Sequence, residues 1–414
     1  MIQHLTSFLP SFLLGVDISF SAVTIKISVI SCILITAHGF PHNLPEPKLR
    51  TIVRKFHGGI YENNYSHRRR HSRPPNLALI PSLKAAGYDI RYIGSYNGME
   101  RKLIENAGIP YDGISSGKLR RYFDLKNFSD PFRVLKGYAE ALKLLRKYKP
   151  DVLFSKGGFV AVPVVLAAKH YHIPTIIHES DMTPGLANKL CIPSAKWVCC
   201  NFPETLKYLP EGKAVLTGSP IRAELLQGDR LAGLQYTNLS AAKPIILVIG
   251  GSLGSVKVNG AVRSILPKLL EQFQVIHICG KGNLDESLIG TSGYVQYEYV
   301  DSPLKHLFAA ADLIVSRAGA NSICEILALR KPNVLIPLSA AASRGDQILN
   351  ANSFAKQGYS TVLEEEKVTD DTLFDAIHDT YENRRTFIEN MEKSHLNNAI
   401  DTIMKLINDC ADHK

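Results

Sequence analysis

From Ser316 to Ala351 the chain reads SRAGANSICEILALRKPNVLIPLSAAASRGDQILNA, and few folds accommodate such a run. An apolar stretch, DLIVS, enters it and stops at Arg317, Ala318 and Gly319. The pattern then predicts a helix from about Ala320 to Leu329, a second buried strand PNVLIPL, a polar loop SAAASRGDQ, and a helix from about Gln347. This is a β-α-β-α unit of a parallel sheet, with its loops at the carboxyl ends of the strands, where open α/β sheets hold ligands. The free amides of Ala320, Asn321 and Ser322 at the helix start suit a diphosphate. Glu325 lies six residues beyond Gly319. Two readings stay open: a nucleotide site with Glu325 on a ribose, or an ordinary α/β connection with a surface Glu.

The chain has 414 residues, 45% of them hydrophobic, which is too long for one core and suits two domains. The expected division is an amino-terminal domain over 75–225, a polar linker and lead-in helix over Gln227–Lys243, a carboxyl-terminal domain over 243–384, and a final amphipathic helix within 385–414 that crosses back over the first domain. The net charge of +10 favours anionic partners. Seven scattered cysteines show no zinc spacing, and an odd number suits a reducing compartment better than a disulfide frame.

Residues 1–74 fit none of this. They begin apolar but are interrupted by Asp17 and Lys26, with Ile18–Ala37 a marginal membrane span, and end in a basic run from His67 to Pro75. One reading is a membrane anchor with a basic arm for phosphates or nucleic acid. The other is a frameshifted start. Shifted by one base, the codons of Glu62 to Pro74 permit Met-Lys-Thr-Ile-Ile-Leu-Thr-Gly-Gly-Gly-Thr-Ala-Gly-His, an apolar strand and a glycine-rich first turn. The frame as written rejoins a sensible helix, PNLALIPSLKAAG, at Pro75. The frameshift is the expectation adopted.

Within the first domain, YDIRYIGS, DVLFS, TIIHE and WVCC read as strands. Lys118, Arg120, Arg121, Lys126 and Arg133 interleave with Leu119, Tyr122, Phe123, Phe128 and Phe132, a pattern that suits either an anionic lipid surface or a solvated helix edge. Gly157 and Gly158 permit close backbone approach to a phosphate. His178, Glu179, Ser180 and Asp181 fall at a strand end, where polar side chains reach a cleft. His178 is a weak candidate for a base; the commoner fate is a satisfied, hydrogen-bonded histidine. Arg222 lies where the chain crosses over, within reach of a diphosphate or merely on a linker surface. In the second domain GGSLGS (Gly250 to Ser255) follows a strand and opens a helix, with Ser252 placed to donate to a phosphate. A further strand ends at Val300–Asp301, where backbone groups can pair with a base edge. No Asp-x-Asp pair stands at a strand end, so neither a metal nor a cofactor is expected.

Taken together, PNLALIP, SSGKLRRYF, SKGGFVAVPVVLAAK, HESDMTPGLANK, GGSLGS, SRAGANSICEILAL and the SRGDQ loop resemble one family over Pro75 to about Leu406. It comprises the bacterial transferases that add N-acetylglucosamine to undecaprenyl-pyrophosphoryl-muramoyl-pentapeptide, and the SRGDQ loop resembles its Gram-positive variant. The resemblance implies two Rossmann-like α/β domains facing across a cleft (the GT-B plan), with UDP-N-acetylglucosamine mainly on the second. It implies inverting transfer to the lipid-linked acceptor, at the cytoplasmic face of the cell membrane and peripheral to it, on an anionic membrane surface and with no nucleic acid. By the same resemblance Ser252 and Arg222 attend the diphosphate, flanked by Gly319, Ala320, Asn321 and Ser322. Val300 meets uracil by its backbone, Glu325 the ribose, and Gln347 the sugar hydroxyls. Asp181 stands where many relatives carry Asn, which puts its donor contact in doubt. The family's amino-terminal Thr-Gly-Gly loop and its His, proposed for acceptor and base work, are absent in the frame as written. Another UDP-sugar-dependent GT-B enzyme, or a product that binds UDP-sugar without turnover, remains an alternative; a membrane-spanning or nucleic-acid-binding protein fits less.

Overall fold

The computed structural model describes residues 32–37, 75–98, 100–116, 130–250, 254–340 and 345–412. They form two α/β domains. The first carries a seven-stranded sheet in the order β3-β2-β1-β4-β5-β6-β7. Its elements begin with β1 (Cys32–Ala37), α1 (Ile80–Ala85), β2 (Tyr88–Ser95), α2 (Arg101–Asn106), β3 (Tyr111–Ile114) and α3 (Asp130–Tyr148). They continue through β4 (Val152–Ser155), α4 (Ala161–His170), β5 (Thr175–Glu179), α5 (Leu186–Cys191), β6 (Trp197–Cys200) and β7 (Ala214–Leu216).

The second domain carries six strands in the order β10-β9-β8-β11-β12-β13, all neighbours parallel. Its elements are α6 (Arg230–Thr237), β8 (Ile245–Ile249), α7 (Val256–Ser264), α8 (Leu266–Gln272), β9 (Gln274–Ile278), β10 (Tyr294–Tyr297) and α9 (Leu304–Ala310). After these come β11 (Leu313–Ser316), α10 (Ala320–Ala328), β12 (Asn333–Leu335), α11 (Asp346–Lys356), β13 (Thr361–Val362), α12 (Asp370–Glu382), α13 (Arg384–Glu392) and α14 (Ala399–Ala411).

Continuous apolar runs become the central strands because both faces of each sheet are covered. Every residue of β4, β5 and β9 is buried. One face of the first sheet packs on α3, α4 and α5 through residues such as Leu145, Val164 and Ala187. The other packs on α1 and α14: Leu83, Ile90 and Phe154 share a cluster with Ile403, Ile407 and Cys410. The last helix therefore belongs to the core of the first domain, as its apolar stripe predicts.

Residues 32–37, inside the stretch read as a frameshifted start, fill the centre of the first sheet. There β1 runs antiparallel to both β2 and β4, while the other pairings in that sheet are parallel. The polar segment read as a linker and lead-in helix contains α6. Asp229 caps α6 by accepting from Ala232 N at 2.6 Å, and Arg230 grips Asp312 with two bonds of 2.9 and 3.0 Å. Arg222, read as the crossover, lies between β7 and α6. The strand expected to end at Val300 stops at Tyr297, so Val300 lies in the loop beyond β10 with its side chain in the core. The sequence from Thr369 to Leu406 reads as two helices, the last amphipathic, but the structure has three, because α13 separates α12 from α14. Among the described residues no helix is long and apolar enough to cross a membrane. All seven cysteines are buried free thiols.

Candidate functional site at the facing sheet edges

In each domain the strand order reverses at one point, between β1 and β4 and between β8 and β11. Ligand crevices of open α/β sheets lie there, outside the carboxyl ends. In the second domain Ile249 pairs with Ser316, so the glycine loop after β8 and the Arg317–Gly319 turn after β11 leave the sheet side by side. Gly254 sits at φ 74°, and a Cβ there would come within 2.0 Å of the Cys279 carbonyl oxygen, so the close turn admits only glycine. Ser255 ends the loop and caps α7. Ser252 itself lies outside the described residues.

Gly319 precedes α10 without a side-chain cap, so the first-turn amides of Ala320, Asn321 and Ser322 are available to an anion. Glu325 is one turn further on. Burial pushes its carboxyl up, and Arg222 pulls it partly back. Arg222 Nη2 lies 3.5 Å from Glu325 Oε1. Gln347 is buried at the start of α11, with Oε1 accepting from Leu338 N at 3.0 Å. It thereby holds the loop after β12; Ser343 and Arg344 of that loop lie outside the described residues. Asn350, one turn on, donates to the Ala318 carbonyl at 3.2 Å.

The first domain turns its carboxyl edge toward these loops. Met182 and Phe202, just past β5 and β6, share a cluster with Ala320, Cys324 and Phe354, and Ser353 donates to Glu204 at 2.9 Å. Two candidates expected to face a cleft are turned inward instead. His178 is wholly buried, its ring Nε2 2.8 Å from the Gly218 carbonyl oxygen. Burial first, and the Lys156 charge second, hold it well below the ordinary histidine value. Nε2 is bonded while the buried Nδ1 finds no partner among the described residues, so the ring braces the crossover through one nitrogen. Glu179 is also buried, accepting from the backbone of Asp181 and Gly185 at 3.0 Å each and from Asn188 Nδ2 at 2.8 Å. It sets the shape of the loop that carries Asp181.

Lys156, Arg317 and Glu365 carry weight that sequence reasoning missed. Lys156 is buried beside Ser219 and within the field of Cys324; burial lowers its ammonium to about 8. It precedes Gly157 and Gly158, both at positive φ, and a Cβ on Gly157 would strike Asn188. A lysine next to GG at a strand end is a legible signal; its burial is not. Of the basic and aromatic stretch, Lys118, Leu119, Arg120, Arg121, Tyr122, Phe123, Lys126 and Phe128 lie outside the described residues. Phe132 and Arg133 stand on α3, where Phe132 is 75% exposed and Leu135 54%.

Two α/β domains with facing loop edges, a free helix start, and an acid and an arginine at the switch point define a nucleotide-sugar enzyme of the GT-B glycosyltransferase class. The glycosyltransferase family 28 N-terminal domain matches residues 74–199 and the family's C-terminal domain matches residues 245–407. The UDP-N-acetylglucosamine–N-acetylmuramyl-(pentapeptide) pyrophosphoryl-undecaprenol N-acetylglucosamine transferase of Lachnospira eligens is 66% identical over 335 residues, 81% of this chain and 95% of the relative. That of Lachnoclostridium phytofermentans is 65% identical over 333 residues, 80% and 94% of the two chains. The crystal structure of Acinetobacter baumannii MurG superposes with a TM-score of 0.62 at 26% identity, covering 81% of this chain and 95% of that one. The calicheamicin glycosyltransferase CalG4, at 14% identity and a TM-score of 0.56, shares the fold. The chain belongs to glycosyltransferase family 28, among its N-acetylglucosaminyltransferases.

Proposed function

We propose that this chain transfers N-acetylglucosamine from UDP-N-acetylglucosamine to undecaprenyl-pyrophosphoryl-muramoyl-pentapeptide, with inversion at the anomeric carbon. The observation that carries the reading is the identity of 65–66% to two transferases so named, over nearly their whole length. In this reading Glu325 accepts hydrogen bonds from the ribose and the backbone of Val300 meets the uracil edge. Ser252, Arg222 and the amides from Gly319 to Ser322 hold the diphosphate, and Gln347 meets the sugar hydroxyls, with Asp181 opposite. As UDP leaves, its growing negative charge is met by the helix start and the Arg222 guanidinium. A base must take the proton of the muramoyl 4-hydroxyl. His178, buried against Gly218, does not serve.

The membrane part of the reading is peripheral association on the cytoplasmic side, through the basic and aromatic stretch before α3 and the exposed Phe132 and Leu135. The acceptor is lipid-linked, which favours that geometry.

A second reading, binding of UDP-sugar without turnover, is favoured by β1. A parallel strand in that slot sends its following loop to the ligand edge; the antiparallel β1 sends Cys32 there instead, opposite Ser155. We infer that residues 1–74 are a frameshifted start and that β1 stands in for a parallel strand. The family match beginning at residue 74 supports this. Sequencing the gene across the codons of Gly58 to Asn76 tests it. If those codons cannot spell the shifted peptide, the inference is dead. For the activity, labelled UDP-N-acetylglucosamine and lipid-linked acceptor are supplied to the chain as written and to its frame-restored form. Transfer to the acceptor by the restored form is expected. Transfer by neither, with UDP binding intact, would overturn the acceptor assignment.

A further inference from the structure

Arg317 leaves β11 at the switch point with its guanidinium almost wholly covered. Nη1 donates to the carbonyl oxygens of Ile336 at 3.1 Å and Pro337 at 3.3 Å, just past β12. Nη2 donates to Ser255 Oγ at 2.7 Å and to the Glu365 carboxylate. Each terminal nitrogen carries two hydrogens, so both are fully engaged within the protein. Arg317 therefore has no terminal donor left for a phosphate.

Glu365 comes from the short turn Glu365–Lys367 after β13, and its side chain is 4% exposed. Its other oxygen lies 3.5 Å from Lys257 Nζ in the first turn of α7, and the backbone of Ser339 also donates to it. The planar fork and its carboxylate thus join four pieces of chain. These are the end of the glycine loop with the start of α7, the turn after β11, the loop after β12, and the turn after β13 that carries Glu365. The first and third flank the helix start at Ala320 from either side.

We propose that Arg317 and Glu365 are a positioning pair. They fix the spacing between the glycine loop before α7 and the loop after β12, and through it the affinity for the diphosphate of the donor. The proposal rests on the donor-site reading above. A lysine cannot replace Arg317, because a point charge cannot hold four acceptors in one plane. A neutral Glu365 cannot either, because the fork then has no fixed anchor.

The test is calorimetric binding of UDP and of UMP to the full chain, which needs no lipid acceptor. The variants are Glu365→Gln, Arg317→Lys and the double variant Arg317→Met/Glu365→Met. Glu364→Gln, which removes the same charge one residue away from a side chain 51% exposed, is the control. The first three are expected to weaken UDP by about tenfold or more, the size of a lost charge-assisted hydrogen bond, while UMP changes little. The control should bind both like the parent.

The double variant separates positioning from stability. Two apolar side chains of similar volume can restore a fold that loses a buried ion pair, so it is expected to melt near the parent temperature and still lack the preference for UDP. Parallel weakening of UDP and UMP, or a double variant that keeps the preference, would overturn the pair's role. Failure of the parent chain to bind UDP at all would overturn the donor-site reading itself, and the pair's role with it.

Discussion

Arg222 Nη2 stands 3.5 Å from Glu325 Oε1, which links the segment that crosses between the domains to the helix that starts at the second switch point. Both side chains are about three-quarters covered, 23% and 25% exposed, so the pair is neither a solvated surface bridge nor a sealed one. Each is expected to meet a different part of the donor, one the diphosphate and the other the ribose. A bound nucleotide would therefore replace this contact, and the pair holds both groups near their working positions until it does.

Replacing Glu325 by Gln keeps the shape and removes the charge. UDP affinity is expected to fall by about tenfold to a hundredfold, as for the loss of a hydrogen bond to a charged group. The fold should be little affected, because burial already disfavours the ionised carboxyl. Calorimetric titration with UDP checks the first point and thermal melting the second.

His178 gives the protein an acid limb. Its folded value is depressed from 6.5, so its stabilising contribution is fully present above 6.5 and is lost as pH falls below it. The loss is expected to reach at most about 1.4 kcal/mol for each pH unit. His178→Gln can still donate to the Gly218 carbonyl and does not titrate. Its stability should be flatter than the parent's between pH 6.5 and lower values, measured by urea unfolding.

Lys156 acts in the opposite range. Burial lowers its ammonium from 10.5 to about 8, so the folded chain releases a proton there that the unfolded chain retains. Stability therefore rises with pH from about 8 to 10.5, and below that range the buried charge is a cost. Lys156→Met is expected to be more stable than the parent at neutral pH, with the difference gone once pH exceeds 10.5. Equal stability at neutral pH would mean that Ser219 and nearby acids already offset the burial.

The last helix belongs to the first core. Ile407 is fully buried against the first sheet, so Ile407→Ala should cost about 2–5 kcal/mol. The loss should appear in unfolding of the amino-terminal domain, followed by the fluorescence of Trp197, and UDP should not rescue it. A loss confined to a UDP-sensitive transition would place the helix with the other domain.

Much of the fold was legible because its signals are local. Apolar runs of four to six residues between small and polar loops mark the central strands, and α10 and α11 begin within a residue of where the pattern places them, while α1 begins at Ile80, after a tighter helical turn over Pro75–Leu79. The second switch point was readable from two strands and their following loops. The helix at Arg230–Thr237 was readable as a lead-in, but its anchor was not, because Arg230 is held by Asp312, 82 residues away. Nor was the inward turn of His178: a strand alternates its faces, but which face is filled depends on what crosses above it.

By itself, then, the amino-acid sequence determined that this chain folds as two parallel α/β halves with a nucleotide-type edge at Gly250 and Gly319. It did so because period, glycine placement and strand length act over a few residues. Only the tertiary structure decided that Arg222 meets Glu325, that Arg317 and Glu365 tie together the segments after β8, β11, β12 and β13, and that β1 enters the first sheet in the reverse direction. Those outcomes depend on distances between residues far apart in the chain, and on which strand fills a slot that hydrogen bonding allows in either direction.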